Sequence, residues 1–240
     1  KLIEKEIAGK DIRPHKKIGL HESAKSEALV WLTNAYISNE QFIEAEAIIT
    51  YIRGDQTFLS DYDTELDLSN ANLYLAQGSY NTGLPFLESA IEQTKKQKNK
   101  GRLQFIAAQI NEKLGQKDRA AEYYQQSMKG NADFEMVFYA KLKLIQMYSQ
   151  NPSRESEALK LIAKMTKDNK NKDYLDQLYY EKAMIALNNN EREDAKKFLV
   201  KSADLSTSNT KQKGISFSKL GDMNYEEEDY PLAQAYYDSS

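Results

Sequence analysis

The sequence contains no cysteine, which excludes disulfides, thiolate metal sites and cysteine nucleophiles. It also lacks any apolar run approaching the roughly 20 residues of a membrane span. The formal net charge of −3 is too small to favour broad attraction to nucleic acid, so a protein or peptide is the favoured partner. Because the chain starts at Lys1 and ends inside a helical pattern, we expect it to be a piece of a longer protein.

Signatures of catalysis and of cofactor binding are missing as well. No phosphate-binding glycine loop, nucleophile elbow or Ser/His/Asp arrangement occurs. His15 and His21 lie near Asp11 and Glu22, but their six-residue spacing does not place two ligands on one helix face, so we interpret them as solvated loop residues rather than a metal site. The acidic run 226–229 falls at the start of a helix, where negative charge is favoured. The sequence therefore predicts a protein that is not an enzyme and has no catalytic residue, metal or cofactor.

What the sequence does contain is a small residue that recurs in steps of 37 or 38 positions. The six residues are Ala45, Gly83, Ala120, Ala158, Ala195 and Ala233. Each follows an apolar helical stretch and a short polar turn, and lies near the start of a second helix. A fixed period of this length is typical of stacked repeats, and a small side chain allows two helices to cross closely.

The pattern predicts an all-α, right-handed superhelical solenoid of helical hairpins, since no segment alternates long enough for a strand. We expect the end of a preceding repeat and a connection in 1–22, followed by six repeats in one continuous solenoid. Their predicted bounds are 23–60, 61–98, 99–132, 133–170, 171–207 and 208–240, the last one truncated.

Several local details are also predicted. Thr82 is expected to cap its helix, which would place Pro85 in the first turn, and Pro231 is likewise expected in a first turn. Asn190 and Glu193 have the spacing of a capping box. The turn at 151–153 is expected to be one residue longer than its counterparts.

The repeated order of small residue, tyrosine, turn and alanine resembles the tetratricopeptide repeat, most plainly over 110–124 and 220–237. That family usually steps by 34 residues, and here the excess falls in the connections between repeats. The segments 171–180, 209–222 and 233–239 are further similar to the tetratricopeptide lipoproteins of type IX secretion and gliding motility, the PorW/SprE group. This resemblance implies a periplasmic, outer-membrane-associated protein that binds components of the secretion machinery, with its lipid anchor outside this sequence.

Side-chain amides recur at one position of the first helices. Counting back 11 residues from each small residue, or 12 in the fourth repeat, gives Asn34, Asn72, Gln109 and Gln146, followed by Met184 and Asp222. Four residues earlier, one turn along the same face, stand Val30, Leu68, Phe105, Leu142, Tyr180 and Ser218. In tetratricopeptide stacks the first helices line a concave groove, and an amide offers a donor and an acceptor to a partner's backbone.

We therefore predict a groove that binds an extended segment or an amphipathic helix. Its polar residues would be Asn34, Asn72, Gln109 and Gln146, and its apolar anchors would be Leu68, Phe105 and Tyr180. An alternative stays open, in which the apolar residues belong to the hairpin core and the amides are merely solvated. A competing function is a regulatory or substrate-recruiting domain of a larger protein whose activity lies elsewhere.

Overall fold

The computed structural model describes residues 24–130 and 132–240, and all regular elements in that part of the chain are helical. The predicted preceding repeat in 1–22, with His15 and His21, lies outside the described residues. The chain divides into two compact units, Lys1–Ala132 and Asp133–Ser240. We describe them one at a time.

The described part of unit 1 contains three helical hairpins, each made of a first and a second helix. The helices are α1 (Lys25–Ser38), α2 (Phe42–Gly54), α3 (Asp63–Ala76), α4 (Tyr80–Gln93), α5 (Gln97–Lys113) and α6 (Lys117–Ser127), with a 3-10 turn at Ser60–Tyr62. Each first helix packs on its own second helix, and α1 and α4 also pack on the first helix of the following hairpin. A core cluster that includes Leu84, Leu87 and Ile110 joins the second hairpin to the third.

Unit 2 repeats this arrangement. Its helices are α7 (Phe134–Ser149), α8 (Glu155–Lys167), α9 (Leu175–Asn188), α10 (Arg192–Leu205), α11 (Thr210–Glu226) and α12 (Tyr230–Tyr237), with a 3-10 segment at Asn169–Tyr174. The first helix α9 packs on both α7 and α11, so first helices follow one another within the unit. Leu199, Leu220 and Met223 form its core together with neighbouring alanines.

The predicted small residues explain the hairpin geometry. Each of the six is the fourth residue of a second helix and is buried. A Cβ added to Gly83 would lie 3.2 Å from the carbonyl oxygen of Ala71 and 3.2 Å from Cβ of Tyr74. The helices therefore cross so closely that a larger side chain would force them apart, as predicted.

Five hairpins close through a turn of three residues, and its middle residue has a left-handed backbone. The residues with positive φ are Glu40 (59°), Gly78 (74°), Gly115 (73°), Asn190 (60°) and Glu228 (65°). The next backbone N–H then donates to a carbonyl five residues back, as from Gln116 to Asn111 at 2.8 Å. This is the Schellman pattern, which satisfies the free carbonyl groups at the end of the first helix.

Three local predictions are wrong, and one is confirmed. Asn190 is the left-handed turn residue rather than a cap, because α10 begins only after Glu191. Helix α4 begins at Tyr80, so Pro85 lies inside it, beyond the first turn expected from a Thr82 cap. The fourth hairpin has a five-residue turn, 150–154, instead of one extra residue. Pro231 does lie in the first turn of α12.

Candidate interaction faces of the first helices

In unit 1, one face of α3 and α5 brings together most of the predicted groove residues. We call it the unit 1 face and define it by Glu65, Leu68 and Asn72 on α3 and Arg102, Phe105 and Gln109 on α5. Within each helix these positions are spaced by three and four residues, which puts them on one side. The amides Asn72 and Gln109 and the charged side chains are exposed, whereas Leu68 and Phe105 are half-buried.

The predicted apolar anchors are partly used by the core. Leu68 packs against the cluster formed by the second and third hairpins. The Phe105 ring meets the buried Tyr124 ring edge to face, with 5.3 Å between the ring centroids. Each therefore offers a partner only the part of its surface that the core leaves free.

Asn34 and Asn72 differ in whether the side-chain amide is hydrogen-bonded within the protein. Its amide nitrogen donates to Ser69 Oγ on the next first helix and to the Val30 carbonyl, both at 3.0 Å. The residue that follows Asn72 by the same interval of 35 positions is Ala107, which is buried and has no polar side-chain atom. The amide of Asn34 is thus used inside the protein, while the amide of Asn72 faces solvent.

The sequence interpretation missed two exposed apolar residues on first helices of unit 1. Trp31 on α1 is 70% exposed and Ile106 on α5 is 40% exposed. Both lie 14 residues before the small residue of their own hairpin, one position away from the row chosen from the sequence. This shared spacing could therefore have identified both residues from the sequence.

In unit 2, the residues at the equivalent positions form hydrogen bonds or packing contacts within the protein. Gln146 on α7 donates to Glu181 Oε1 on α9 at 2.7 Å, and the Glu181 side chain is buried. Burial raises the pKa of Glu181 above its ordinary value of 4.5, while the hydrogen bond from Gln146 and the positive charge of Lys143 oppose the shift. Tyr180 packs against the core of its unit and is half-buried.

The remaining two members of the row also differ from the amides. Met184 is half-buried beside the core, and Asp222 accepts a hydrogen bond of 2.9 Å from the Tyr237 hydroxyl. The unit 2 members of the predicted rows, Gln146, Tyr180, Met184 and Asp222, thus already have partners or packing contacts within the protein. Among the described residues, no cluster of three or more His, Asp or Glu side chains is arranged for a metal ion. None of the described helices combines the length and the hydropathy that a membrane span requires.

Helical hairpins with this small-residue crossing and this turn define a class of all-α repeat proteins. Residues 101–133 and 176–209 match the family model of the tetratricopeptide repeat. Two stretches of the chain are therefore similar to tetratricopeptide repeats, the first ending at the boundary between the units and the second lying in unit 2. The search of curated proteins gave no match.

Solved structures with the same fold include proteins that bind peptides. The apo form of the quorum sensor NprR from B. thuringiensis is 16% identical, with a TM-score of 0.67 over 98% of this chain and 68% of that one. YrrB, a tetratricopeptide repeat protein with an unusual peptide-binding site, is 18% identical, with a TM-score of 0.57 over 87% of this chain and 94% of that one. NprR in complex with its cognate peptide NprX is 15% identical, with a TM-score of 0.55 over 99% of this chain and 71% of that one.

Proposed function

We propose that this protein is a non-catalytic scaffold that binds an extended segment or an amphipathic helix of a partner protein on the unit 1 face. The observation that carries the proposal is the pair of exposed amides, Asn72 and Gln109, at equivalent positions of neighbouring first helices. An amide can donate to and accept from a partner's backbone at once. The adjacent exposed side chain of Ile106 adds apolar contact area.

The mechanism of such a scaffold is geometric. The amides and their apolar neighbours stand on helices held by a buried core, so little order has to be imposed when a partner binds. Specificity then depends on which side chains the partner places against the face, and no covalent step is involved.

The test starts from a peptide selected on the intact protein from a random peptide display library. Binding of that synthetic peptide is compared between the native protein and a variant with Asn72→Ala and Gln109→Ala. We expect the affinity to fall about tenfold, because two hydrogen bonds of about 0.5–1.5 kcal/mol each are lost. A control variant, Gln41→Ala with Asn81→Ala, removes two exposed amides of unit 1 that lie off the face. Equal affinity in the native protein and the Asn72/Gln109 variant would refute the proposal.

We further propose that the partner belongs to a type IX secretion or gliding apparatus and that the protein works in the periplasm, attached to the outer membrane. The support is the sequence resemblance of 171–180, 209–222 and 233–239 to the lipoproteins of that machinery. The test is cross-linking in cells that make the apparatus, followed by identification of the cross-linked components. Cross-links to outer-membrane secretion components are expected, and cross-links to cytoplasmic proteins alone would overturn this finer proposal.

A further inference from the structure

Unit 1 contains an open cavity of about 530 Å³ that shares Glu65, Leu68 and Arg102 with the unit 1 face. Ligand-binding pockets in proteins typically have volumes of about 300–1,000 Å³. The cavity is formed by the 3-10 turn and start of α3, the end of α4, the connection to α5, and the first turns of α5. The lining residues on which the argument depends are Asp61, Glu65, Leu68, Lys95, Lys96 and Leu103.

The charged residues of this cavity are separated by sign along the chain. Asp61 and Glu65 come from the 3-10 turn and α3, whereas Lys95, Lys96 and Arg102 come from the connection and α5. Helix α5 begins directly after Lys96, whose side chain makes no capping hydrogen bond. The first N–H groups of a helix have no partner within it, so this end of the cavity favours negative charge through both the lysines and the helix.

The apolar part of the lining is supplied by Leu68 and Leu103. Hydrogen bonds join two of the helices that carry the lining, α3 and α4. Thr64 Oγ1 donates to Gln93 Oε1 at 2.8 Å, and Gln93 Nε2 donates to Asp67 Oδ2 at 3.0 Å. The cavity therefore combines an apolar surface with an acidic and a basic side.

We propose that this cavity selects a partner segment in which an apolar residue stands between one acidic and one basic residue. The apolar side chain would contact Leu68 and Leu103, the acid would lie near Lys95 and Lys96, and the base would lie near Asp61 and Glu65. This inference rests on the proposed function, because Glu65 and Arg102 lie seven residues, or two helical turns, before Asn72 and Gln109 on the same face. The bound segment would run from the amides into the cavity.

The test uses capped synthetic peptides and NMR of the isotope-labelled protein at low salt. The probes are Gly-Glu-Leu-Lys-Gly and Gly-Lys-Leu-Glu-Gly, compared with Gly-Gln-Leu-Gln-Gly and Gly-Lys-Leu-Lys-Gly. We expect one of the two mixed-charge orders to bind about tenfold more tightly than the neutral peptide, with shifts of the amide signals of 94–99. The order that binds gives the direction of the segment.

A charge reversal shows whether the lysines of the cavity are responsible. Lys95→Glu with Lys96→Glu should weaken the mixed-charge peptide about tenfold, since two ion pairs of up to about 1 kcal/mol each are lost. The same variant should gain affinity for Gly-Lys-Leu-Lys-Gly, which a merely unfolded protein would not do. The matched control is Lys98→Glu with Lys100→Glu, which changes the net charge equally at two residues of α5 that do not line the cavity.

Two results would overturn the inference: neither mixed-charge order binds more tightly than the neutral peptide, or the control variant weakens binding as much as the Lys95/Lys96 variant. Either result leaves the proposed function standing if the selected peptide still depends on Asn72 and Gln109. Conversely, peptide binding that depends on Lys95 and Lys96 but not on the two amides would support the inference about the cavity. It would refute the proposal that Asn72 and Gln109 bind the partner.

Discussion

Gln109 in unit 1 and Gln146 in unit 2 occupy the same position of successive repeats, yet their surroundings differ. Gln109 is exposed on α5, whereas Gln146 is half-buried and donates to the buried carboxylate of Glu181. The repeat period fixes where a residue stands on its helix. Both amides of this row that have a side-chain partner on the next first helix find it 35 positions further on in the same unit, Gln146 at Glu181 and Asn34 at Ser69.

The largest expected effect tests this difference through stability. Gln146→Ala should lower the free energy of unfolding by about 2 kcal/mol, because it removes a hydrogen bond to a buried charged group. Gln109→Ala should change it by less than about 0.5 kcal/mol, as for most exposed substitutions. Urea unfolding followed by circular dichroism measures both. A similar loss in the free energy of unfolding for both variants would show that the hydrogen bond of Gln146 adds no stability beyond that of the exposed Gln109.

A smaller effect is expected at the turns, where the two units are alike. Gly115→Ala in unit 1 should destabilise by about 1 kcal/mol, because alanine tolerates a φ of +73° poorly. Glu228→Gly in unit 2 should stabilise by a similar amount, since glycine relieves the same strain at φ +65°. The measurement is again the urea midpoint.

Gly54→Ala provides the control for the turn variants. Gly54 ends α2, has no left-handed backbone, and has no atom within 4 Å of an added Cβ. Alanine should therefore be neutral or slightly stabilising there. If Gly54→Ala and Gly115→Ala are equally destabilising, the cost at Gly115 does not come from its backbone conformation.

Much of the fold could be predicted because it depends on short-range patterns. The six small residues were predictable, since a close helix crossing excludes larger side chains and so leaves a regular trace in the sequence. The backbone conformation of the turns was harder to predict from the sequence. Glutamates at positions 40 and 228 adopt the left-handed backbone for which glycine is the usual residue, and Asn190 does so at a place that resembles a helix cap. There the Schellman hydrogen bonds outweigh the preference of the individual residue.

The candidate site was predictable only in part. Its positions follow from the period, and the structure does put Asn72 and Gln109 in solvent on a first-helix face. The period alone could not show that Ser69 accepts a hydrogen bond from Asn34 and Glu181 one from Gln146, whereas the buried Ala107, at the same interval from Asn72, has no polar side-chain atom. The cavity of unit 1 could not be predicted from the sequence either, because it is formed by the ends of three helices and two connections.

The smallest expected effect concerns Glu181 itself. Because burial raises its pKa above the ordinary 4.5, the folded protein holds this proton to a higher pH than the unfolded chain does. The contribution of Glu181 to stability therefore falls as the pH rises from about 4.5 through the pKa of the folded state, and stays lowered above it.

Glu181→Gln keeps an oxygen that can accept from Gln146, but its side chain cannot ionise. This variant should lose that pH dependence and be more stable than the native protein at pH 7, by less than about 1 kcal/mol. Thermal unfolding between pH 4 and pH 8 measures the difference, with the exposed Glu193→Gln as the control. A constant difference between the native protein and Glu181→Gln over this range would mean that burial does not disfavour the charge, and that the Glu181 carboxylate is as well solvated as the exposed Glu65 of the unit 1 face.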